Sequence, residues 1–392
     1  MLLAAAYQAG PRDLAAVAAA AAPTLHATEV AIYLADYGQA MLVPLQGLGT
    51  PRREPVPVEG TLAGRAFAMT QAYEAGSDGE YRVWLPLLDS TQRLGVLEVV
   101  SKERPSGRHR GVYEAVAALL AQLIVTRQPY GDAVEHTRRL LPMQLATEIV
   151  WGLLPPLTFA NRHVVVSGII EPCYEVGGDV FDYAVNDEVT HVALFDALGH
   201  GTSASMLSTI AINAYRNARR CGLDLVDTYR SIDKWVRAEY PDTFLTAILA
   251  ELNIVTGRYR RICAGHLPEL LLRDGRVIKH LPGPTALPLG MGDLTTGRPV
   301  VTEEALQPGD LLLLYTDGVV EARSAAGEFF GVDRLVDFLV RARSDQLPAA
   351  ETMRRLVRAI LDHQHDQLQD DATALCLHWL AGARTREASL GG

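Results

Sequence analysis

Four short acidic motifs in the C-terminal part of the chain each place an aspartate at the edge of an apolar run. The motifs are Gly177-Gly178-Asp179 with Phe181-Asp182, then Asp196-Ala197-Leu198-Gly199-His200-Gly201, then Thr316-Asp317-Gly318, and finally Asp370-Asp371-Ala372-Thr373. A carboxylate at a strand end projects into the mouth of a sheet, and hard divalent cations prefer clustered oxygen ligands of this kind. Water between two such ions becomes a nucleophile. Each motif alone is also an ordinary turn, but the set of four predicts a metal-dependent hydrolytic site.

In this order, the motifs resemble those of the PP2C-type metal-dependent phosphatases of the SpoIIE and RsbU branch. The pattern of that branch reads V-G-G-D-x-x-D, D-x-x-G-H/K-G, A-G-H-x-P, T-D-G-x-x-E and D-D-x-T. The matching stretches are residues 176–182, 196–201, 264–268, 316–321 and 370–373. The resemblance covers about residues 145–380. It implies a serine/threonine protein phosphatase built as an α/β/β/α sandwich of antiparallel sheets.

The resemblance also implies a role for each acidic residue. Asp196 matches the aspartate that bridges two ions of Mn²⁺ or Mg²⁺, with the Ala197 carbonyl as a further ligand. Asp179 would bind one ion, and Asp317 and Asp370 would bind the other. These four aspartates are the predicted catalytic residues, because two bound cations lower the pKa of water enough to supply hydroxide near neutral pH.

Further residues are predicted to orient the metal ligands or the waters around them: Asp182, His200, Glu321 and Asp371. His200 and His266 are candidates for protonating the leaving group, although a histidine held in a turn is more often structural. The larger PP2C enzymes present a phosphate-binding arginine near the first aspartate, whereas residues 171–178 contain no arginine. The residue that anchors the substrate phosphate therefore stays unassigned.

Two other functions compete with a protein phosphatase. A catalytically silent scaffold would bind a signalling partner without metals, but retention of all four aspartates argues against it. A phosphohydrolase for nucleotides or other small molecules is the third alternative, and the chain lacks a G-x-x-x-x-G-K-S/T phosphate-binding loop. For the phosphatase, the branch resemblance implies a phosphorylated STAS-type protein, an anti-sigma-factor antagonist, as substrate.

Composition agrees with a cytoplasmic protein of two or three domains. The chain has 392 residues and a formal net charge of -10, which argues against a nucleic-acid partner because phosphate backbones require a concentrated basic face. Its four cysteines form no C-x-x-C pair, which argues against a zinc site or a disulfide framework. The longest alanine-rich stretch is about half the ~20 residues that a membrane-spanning helix needs. No membrane association is expected.

The N-terminal module, residues 1–125, resembles a GAF sensor domain. Its predicted elements are strands at 28–33, 40–45, 80–87 and 93–100, with a short helix in 60–67. The stretch that most closely resembles that family is Leu94-Gly95-Val96-Leu97-Glu98-Val99-Val100. The expected input is a small molecule or a protein. Four aromatic residues could line a ligand pocket or simply pack in the core: Tyr33, Tyr73, Tyr81 and Trp84.

Residues 126–158 are predicted to form a helical linker that acts as a switch. One apolar stripe at helical spacing lies at the end of the first module, directly before this linker. A second stripe, within the linker, includes Leu140, Leu145, Ile149 and Leu153. Such stripes usually face a core, but they also fit the pairing of two chains into a homodimer. A phosphatase domain is predicted over residues 159–380, and a disordered tail over 381–392.

Within the predicted phosphatase domain, apolar runs and alternations indicate antiparallel strands joined by short turns. The strands are expected at residues 164–170, 191–195, 245–253, 259–263, 269–272 and 311–315. Helices are expected at residues 204–219, 225–238, 332–343 and 349–363. The fold class predicted for the whole chain is therefore α+β.

Overall fold

The chain divides into two compact units, Met1–Pro142 and Met143–Gly392. The computed structural model describes residues 6–47, 50–77, 79–105, 107–175, 177–281, 283–295, 297–365 and 370–380. Val176 of the first motif and the predicted tail lie outside these residues. The segment predicted as a linker is shared between the units, because its first half belongs to one and its second half to the other.

The first unit is built on one six-stranded antiparallel sheet. Its strands are β1 (Glu29–Ala35), β2 (Met41–Pro44), β3 (Val56–Pro57), β4 (Tyr73–Ser77), β5 (Glu80–Asp89) and β6 (Gln92–Ser101), in the order β3-β2-β1-β6-β5-β4. The four predicted strands are present as β1, β2, β5 and β6. Sequence patterning missed β3 and β4, the two strands at the edges of the sheet.

Helices cover both faces of this sheet. They are α1 (Leu14–Ala20), α2 (Leu62–Met69), α3 (Gly107–Arg127) and α4 (Ala133–Arg138). Successive residues of β1 point to opposite faces. Ile32 packs in a core with α1 and α3, whereas Tyr33 packs in a second core with α2. The aromatic side chains of Tyr73 and Trp84 also pack against this second core, in agreement with the core-packing alternative.

Among its described residues, the second unit contains two six-stranded sheets and six helices. Its strands are β7 (Thr158–Ala160), β8 (Val164–Glu171), β9 (Val180–Asn186), β10 (Val189–Ala197), β11 (Leu245–Asn253), β12 (Arg258–Ala264), β13 (Leu270–Arg273), β14 (Arg276–His280), β15 (Thr285–Ala286), β16 (Thr302–Ala305), β17 (Leu311–Tyr315) and β18 (Ala372–Trp379). Its helices are α5 (Leu145–Leu153), α6 (Gly201–Arg220), α7 (Leu225–Glu239), α8 (Asp317–Val320), α9 (Gly331–Ser344) and α10 (Ala349–His363).

The two sheets stack face to face between two layers of helices. One sheet has the order β15-β12-β11-β10-β9, with β16 also paired to β12, and the other has the order β14-β13-β17-β18-β8-β7. Alternate residues of β10 show the layering: Leu194 packs between the sheets, and Phe195 packs against α6 and α7. On the other side, α9 and α10 cover the second sheet. The predicted α+β class and the α/β/β/α sandwich are confirmed.

The bounds of several elements agree with the sequence. Strands β11 and β17 and helix α10 begin and end where they were predicted, and α6 begins three residues earlier, at Gly201. None of the helices in the described ranges combines the length and the apolar character that crossing a membrane requires.

Candidate active site

Strand ends from both sheets bring the acidic motifs to one end of the sandwich. In the first sheet, Phe195 pairs with Val180, so that the end of β10 lies beside the start of β9. In the second sheet, β17 ends beside the start of β18, with Tyr315 opposite Ala374. Antiparallel pairing therefore places the residues that follow β10 and β17 together with those that precede β9 and β18.

A cavity of about 570 Å³ opens at this end of the second unit. Its acidic wall consists of Asp196, Asp317, Asp370 and Asp371. The other residues around it are Gln144, Pro172, Glu175, Ala197, Leu198, Gly199, His200, Gly201, Phe244 and Thr246. No Lys or Arg occurs among the described residues that line it. The cavity therefore concentrates negative charge without a cationic side chain to offset it.

Burial and mutual repulsion raise the pKa values of these carboxyl groups. Burial raises the pKa of Asp196 to about 7, with further contributions from the charges of Asp317, Asp370 and Asp371. The pKa of Asp370 is also raised, first by burial and then by Asp317, while nearby His200 acts in the opposite direction. Such crowding of carboxylates is typical of sites that receive cations.

Asp179 lies behind the cavity wall. The residue is only 2% exposed, and its Oδ2 atom accepts a hydrogen bond of 2.7 Å from the Thr316 hydroxyl. The same hydroxyl oxygen accepts a hydrogen bond of 3.0 Å from the backbone N–H of Thr373. Burial raises the pKa of Asp179 well above its ordinary value, and Asp196 and Asp371 add to the effect. Asp179 is thus adjacent to the acidic wall without lining the cavity.

The carboxylate of Asp371, in the last motif, accepts hydrogen bonds from the backbone of the first motif. Its Oδ2 atom accepts hydrogen bonds from the backbone N–H groups of Gly177 at 2.8 Å and Gly178 at 2.7 Å, and a longer one of 3.3 Å from Asp179. A carboxylate that accepts several backbone N–H groups fixes the conformation of that segment. The turn before β9 is therefore held in place by a residue almost two hundred positions later in the chain.

Two glycines allow the backbone to approach closely around the site. A Cβ atom at Gly178 would lie 2.8 Å from the carbonyl oxygen of Ala197, and one at Gly318 would lie 2.0 Å from the carbonyl oxygen of Asp371. Contacts this short exclude a side chain. The glycines of the first and third motifs are thus required by the packing of neighbouring acidic segments.

Asp182 and Glu321 lie elsewhere than their predicted roles require. Asp182 is 2% exposed, and its two oxygens bind Arg216 and Arg219 of α6, each at 2.7 Å. It sits within β9, opposite Ala193, and it anchors the helix to the sheet. Glu321 is exposed and outside the cavity wall. Its backbone N–H donates to the Asp317 carbonyl at 2.7 Å, which closes the short helix α8.

The two candidate histidines differ in environment. His200 is exposed at the cavity, immediately before α6. His266 is buried, its Nδ1 lies 3.1 Å from the Leu267 carbonyl oxygen, and burial lowers its pKa to about 4. A neutral imidazole at neutral pH supplies no proton readily, so His266 fits a structural role and His200 remains the candidate acid.

The donor chemistry of the wall fits hard divalent cations. Asp196, Asp317 and Asp370 offer carboxylate oxygens, and Ala197 offers a carbonyl at the same wall, which is the ligand type that Mg²⁺ and Mn²⁺ prefer. Within the described ranges, no three acidic, histidine or cysteine side chains already converge into a coordination set.

Parts of several known proteins are similar in sequence to this chain. Residues 186–380 match the family model "Stage II sporulation protein E (SpoIIE)". Protein IcfG of Synechocystis sp. is 24% identical over 268 residues, which cover 61% of this chain and 41% of that protein. The phosphoserine phosphatase RsbP of Bacillus subtilis is 26% identical over 170 residues, covering 41% of each chain. The chain thus spans about two fifths of the length of each of these relatives.

Among solved structures, the SiaA-PP2C domain of Pseudomonas aeruginosa covers 59% of this chain and 94% of its own, with 22% identity and a TM-score of 0.49. The family match includes the second, third and fourth acidic motifs, and it begins after the first. Residues 186–380 of the second unit therefore match a SpoIIE-type PP2C phosphatase domain.

Proposed function

We propose that the chain is a metal-dependent serine/threonine protein phosphatase that uses two ions of Mn²⁺ or Mg²⁺. Asp196 and the Ala197 carbonyl, with Asp317 and Asp370, would hold the ions at the cavity wall, and Asp179 would complete the set from behind it. The observation that carries the proposal is the acidic wall: four aspartates from three strand ends line one cavity, and the described residues around it include no Lys or Arg.

The ions would activate a water and neutralise the phosphoryl oxygens, which is the chemistry that two-metal phosphatase sites supply. Two residues of the chain hold the first acidic motif in position for this chemistry. Thr316 fixes the orientation of Asp179, and Asp371 holds the backbone before β9. His200, at the cavity and close to Asp370, is placed to donate a proton to the leaving serine or threonine oxygen.

A phosphorylated STAS-type regulatory protein is the proposed substrate. The relative RsbP is named a phosphoserine phosphatase, which favours a phosphoserine protein over a nucleotide. A silent scaffold is the alternative, and the intact acidic wall disfavours it.

The first unit is proposed to be a GAF-like sensor that gates the phosphatase. Its six-stranded antiparallel sheet with helices on both faces fits such a domain. A route to the site is offered by α5, because Gln144, directly before this helix, lines the cavity, and Val150 within it is fully buried in the core below α6. Leu145 on the same helix is 65% exposed, which leaves an apolar position for homodimer contacts.

The test uses the purified full chain with Mn²⁺, assayed on a phosphoserine protein, on p-nitrophenyl phosphate and on nucleotides. We expect hydrolysis of the first two substrates, negligible nucleotide hydrolysis, and complete loss of activity in EDTA with recovery on adding Mn²⁺. Full activity in EDTA would refute the two-metal mechanism. Binding of a phosphoprotein without any turnover in Mn²⁺ would instead support the scaffold.

A further inference from the structure

A second cavity, of about 300 Å³, lies at the opposite end of the strands that deliver Asp317 and Asp370. Leu311, the first residue of β17, lines it, whereas Asp317 follows the last residue of that strand. His378, near the end of β18, lines it as well, whereas Asp370 precedes the start of β18. At ~3.4 Å per strand residue, roughly 20 Å separate the two sites. The far cavity is therefore independent of the acidic wall.

Most of the far cavity is apolar. Its walls come from the second sheet and from the two helices that cover it, and their apolar members are Val165, Leu272, Leu311, Leu339, Leu347, Pro348, Ala349, Cys376 and Leu380. The Cys376 thiol is fully buried and its pKa is raised to about 12, so this wall stays uncharged. A volume near the lower end of the ligand-cavity range of about 300–1,000 Å³ suits a small apolar body.

The cavity also contains a cation without an acidic partner. Arg343 of α9 lines the cavity with an exposed side chain, and after burial its charge is the next influence on the pKa values of Cys376 and His378. Within the described residues, Arg343 forms no ion pair. The carboxylate of Asp310, which also acts on His378, is already bound by Arg273 through two hydrogen bonds of 2.8 and 2.7 Å.

A second polar group in this cavity lacks a partner. The Nε2 atom of His378 is buried and makes no hydrogen bond, although the ring interacts with the backbone of Gly309. An unpaired buried polar atom is unfavourable unless a ligand or water satisfies it. Helix α10, which spans 15 residues, begins at Ala349 on the same wall. A helix N-terminus favours negative charge, and the acid of its first turn, Glu351, is already paired with Arg354 and Arg355.

We propose that this far cavity binds a small carboxylate that carries an apolar chain. The carboxylate pairs with Arg343, next to the unsatisfied His378 nitrogen and the start of α10, and the chain fills the space between Leu272, Leu339 and Cys376. A neutral apolar molecule leaves Arg343 unpaired, and a cationic amphiphile is repelled by it. The site is separate from the proposed phosphatase chemistry and requires no metal.

Calorimetric titration of the full chain in EDTA tests the proposal, with octanoate, octanol and octylammonium as probes of equal chain length. We expect saturable octanoate binding, at least about tenfold weaker binding of octanol, and no binding of octylammonium, because a hydrogen bond to a charged group typically contributes one to two factors of ten. Equal affinities for octanoate and octanol, or no saturable octanoate binding, would overturn the proposal.

Variants locate the binding. Arg343→Gln should weaken octanoate binding about 10-fold to 100-fold and leave octanol binding unchanged. Arg341→Gln is the matched control on the same helix, since Arg341 is 80% exposed and 3.8 Å from Asp337. Ala349→Phe should fill the cavity and abolish binding of both ligands, with unchanged circular dichroism showing that the fold persists. An Arg343→Gln chain that binds octanoate like the wild type, or an equal effect of Arg341→Gln, would refute the carboxylate site.

Discussion

The two ends of strands β8, β17 and β18 carry opposite unmatched charges. At one end, Asp317 and Asp370 join Asp196 of β10 at a cavity whose described lining residues include no Lys or Arg. At the other end, the exposed side chain of Arg343 lines an apolar cavity and forms no ion pair with the residues that the structure describes. Between the two ends, side chains in the middle of these strands are buried in apolar cores, as are Leu313 and Leu375, both of which are 0% exposed.

Some charged residues of this unit pair with each other and stabilise the fold, whereas others are available to a ligand. Asp182 with Arg216, and Asp310 with Arg273, are satisfied within the chain, and both acids are almost completely buried. An ion pair that is complete in itself stabilises one arrangement of elements. The half-buried carboxyl group of Asp196 is costly to keep ionised without a partner and indicates a cation, whereas Arg343 is exposed and is accessible to an anion.

The largest expected effect comes from Asp196→Asn at the acidic end. The change removes the carboxylate proposed to bridge both ions, and we expect the rate on a phosphoserine protein in Mn²⁺ to fall by about three orders of magnitude or more. Asp187→Asn is the matched control, because Asp187 lies in the hairpin at the other end of β9 and β10, with a positive φ of 47° that asparagine also tolerates. Comparable loss in both variants would contradict the bridging role.

Asp371→Ala tests whether the acidic end depends on the backbone contacts of that residue. Without its carboxylate, the N–H groups of Gly177 and Gly178 lose their acceptor, and the turn that carries Asp179 is released. We expect Mn²⁺ affinity to fall about 10-fold to 100-fold, as is common when a group that orients metal ligands is removed. Titration of Mn²⁺ against activity measures the change. Asp337→Ala, at an exposed position of α9, should leave the affinity unaltered.

Removal of the first unit tests its influence on the acidic end. A chain beginning at Met143 keeps α5 and all of the second unit, whereas a start near Asp132 would retain α4 without the sheet on which it packs. If the units communicate, we expect kcat or Mn²⁺ affinity to change about fivefold or more relative to the full chain.

A point substitution provides the same test in the intact chain. Ile149→Gln in α5 should alter the rate, and Ile149→Val, which keeps an apolar surface, should not. If the chain that begins at Met143 is folded and has the same kcat and Mn²⁺ affinity as the intact chain, the first unit is a passive attachment and the gating proposal is wrong.

The smallest expected effect is a pH dependence of stability in the metal-free protein. The pKa of Asp196 is about 7 in the folded chain against an ordinary value of 3.8, so the folded state binds the proton more tightly than the unfolded state does. Its contribution to stability is complete below pH 4 and is lost as the pH rises through 7. In EDTA, the Tm of Asp196→Asn should therefore exceed that of the wild type at pH 8, and the gap should close toward pH 4.

Differential scanning calorimetry checks this difference, and the transition of the second unit is identified by its response to Mn²⁺. Adding Mn²⁺ should reverse the order of the two Tm values at pH 8, because bound cations favour the ionised aspartates. A gap between the two variants that does not change with pH would show that Asp196 carries no proton in the folded chain near neutral pH.

The sequence predicted those parts of the fold in which periodicity is strong. Strand β11, for example, is buried at most of its positions and was predicted with its full bounds. Strand β14 was missed because Arg276, Lys279 and His280 are exposed on an edge and show no apolar alternation. Strand β9 was missed because polar positions, including Asp182, interrupt its apolar pattern. Edge strands and polar buried strands depend on neighbours that are distant in the chain, and a local pattern does not reveal them.

The candidate site was also predicted only in part from the sequence. Motif order was sufficient to predict that Asp196, Asp317 and Asp370 lie at one site, because each stands at the edge of an apolar run, and all three line one cavity wall. It was insufficient for Asp182, whose carboxylate meets Arg216 and Arg219 from a helix that begins 19 residues later. Arg343 and His378 lie in no motif at all, and only the packing of α9 on β18 places them at one cavity.

The pairing of β18 between β17 and β8 also determines when the acidic wall is completed during synthesis of the chain. Ala372 pairs with Glu171, and Asp371 binds the backbone of Gly177 across 194 residues of intervening sequence. Contacts this distant form late, because a long loop must close before they contribute. A growing polypeptide that has released residues 143–365 from the ribosome still lacks Asp370, Asp371 and the central strand of its second sheet. Under the proposed function, such a polypeptide could not yet hydrolyse a phosphoprotein, because two of the four aspartates of the acidic wall are still absent.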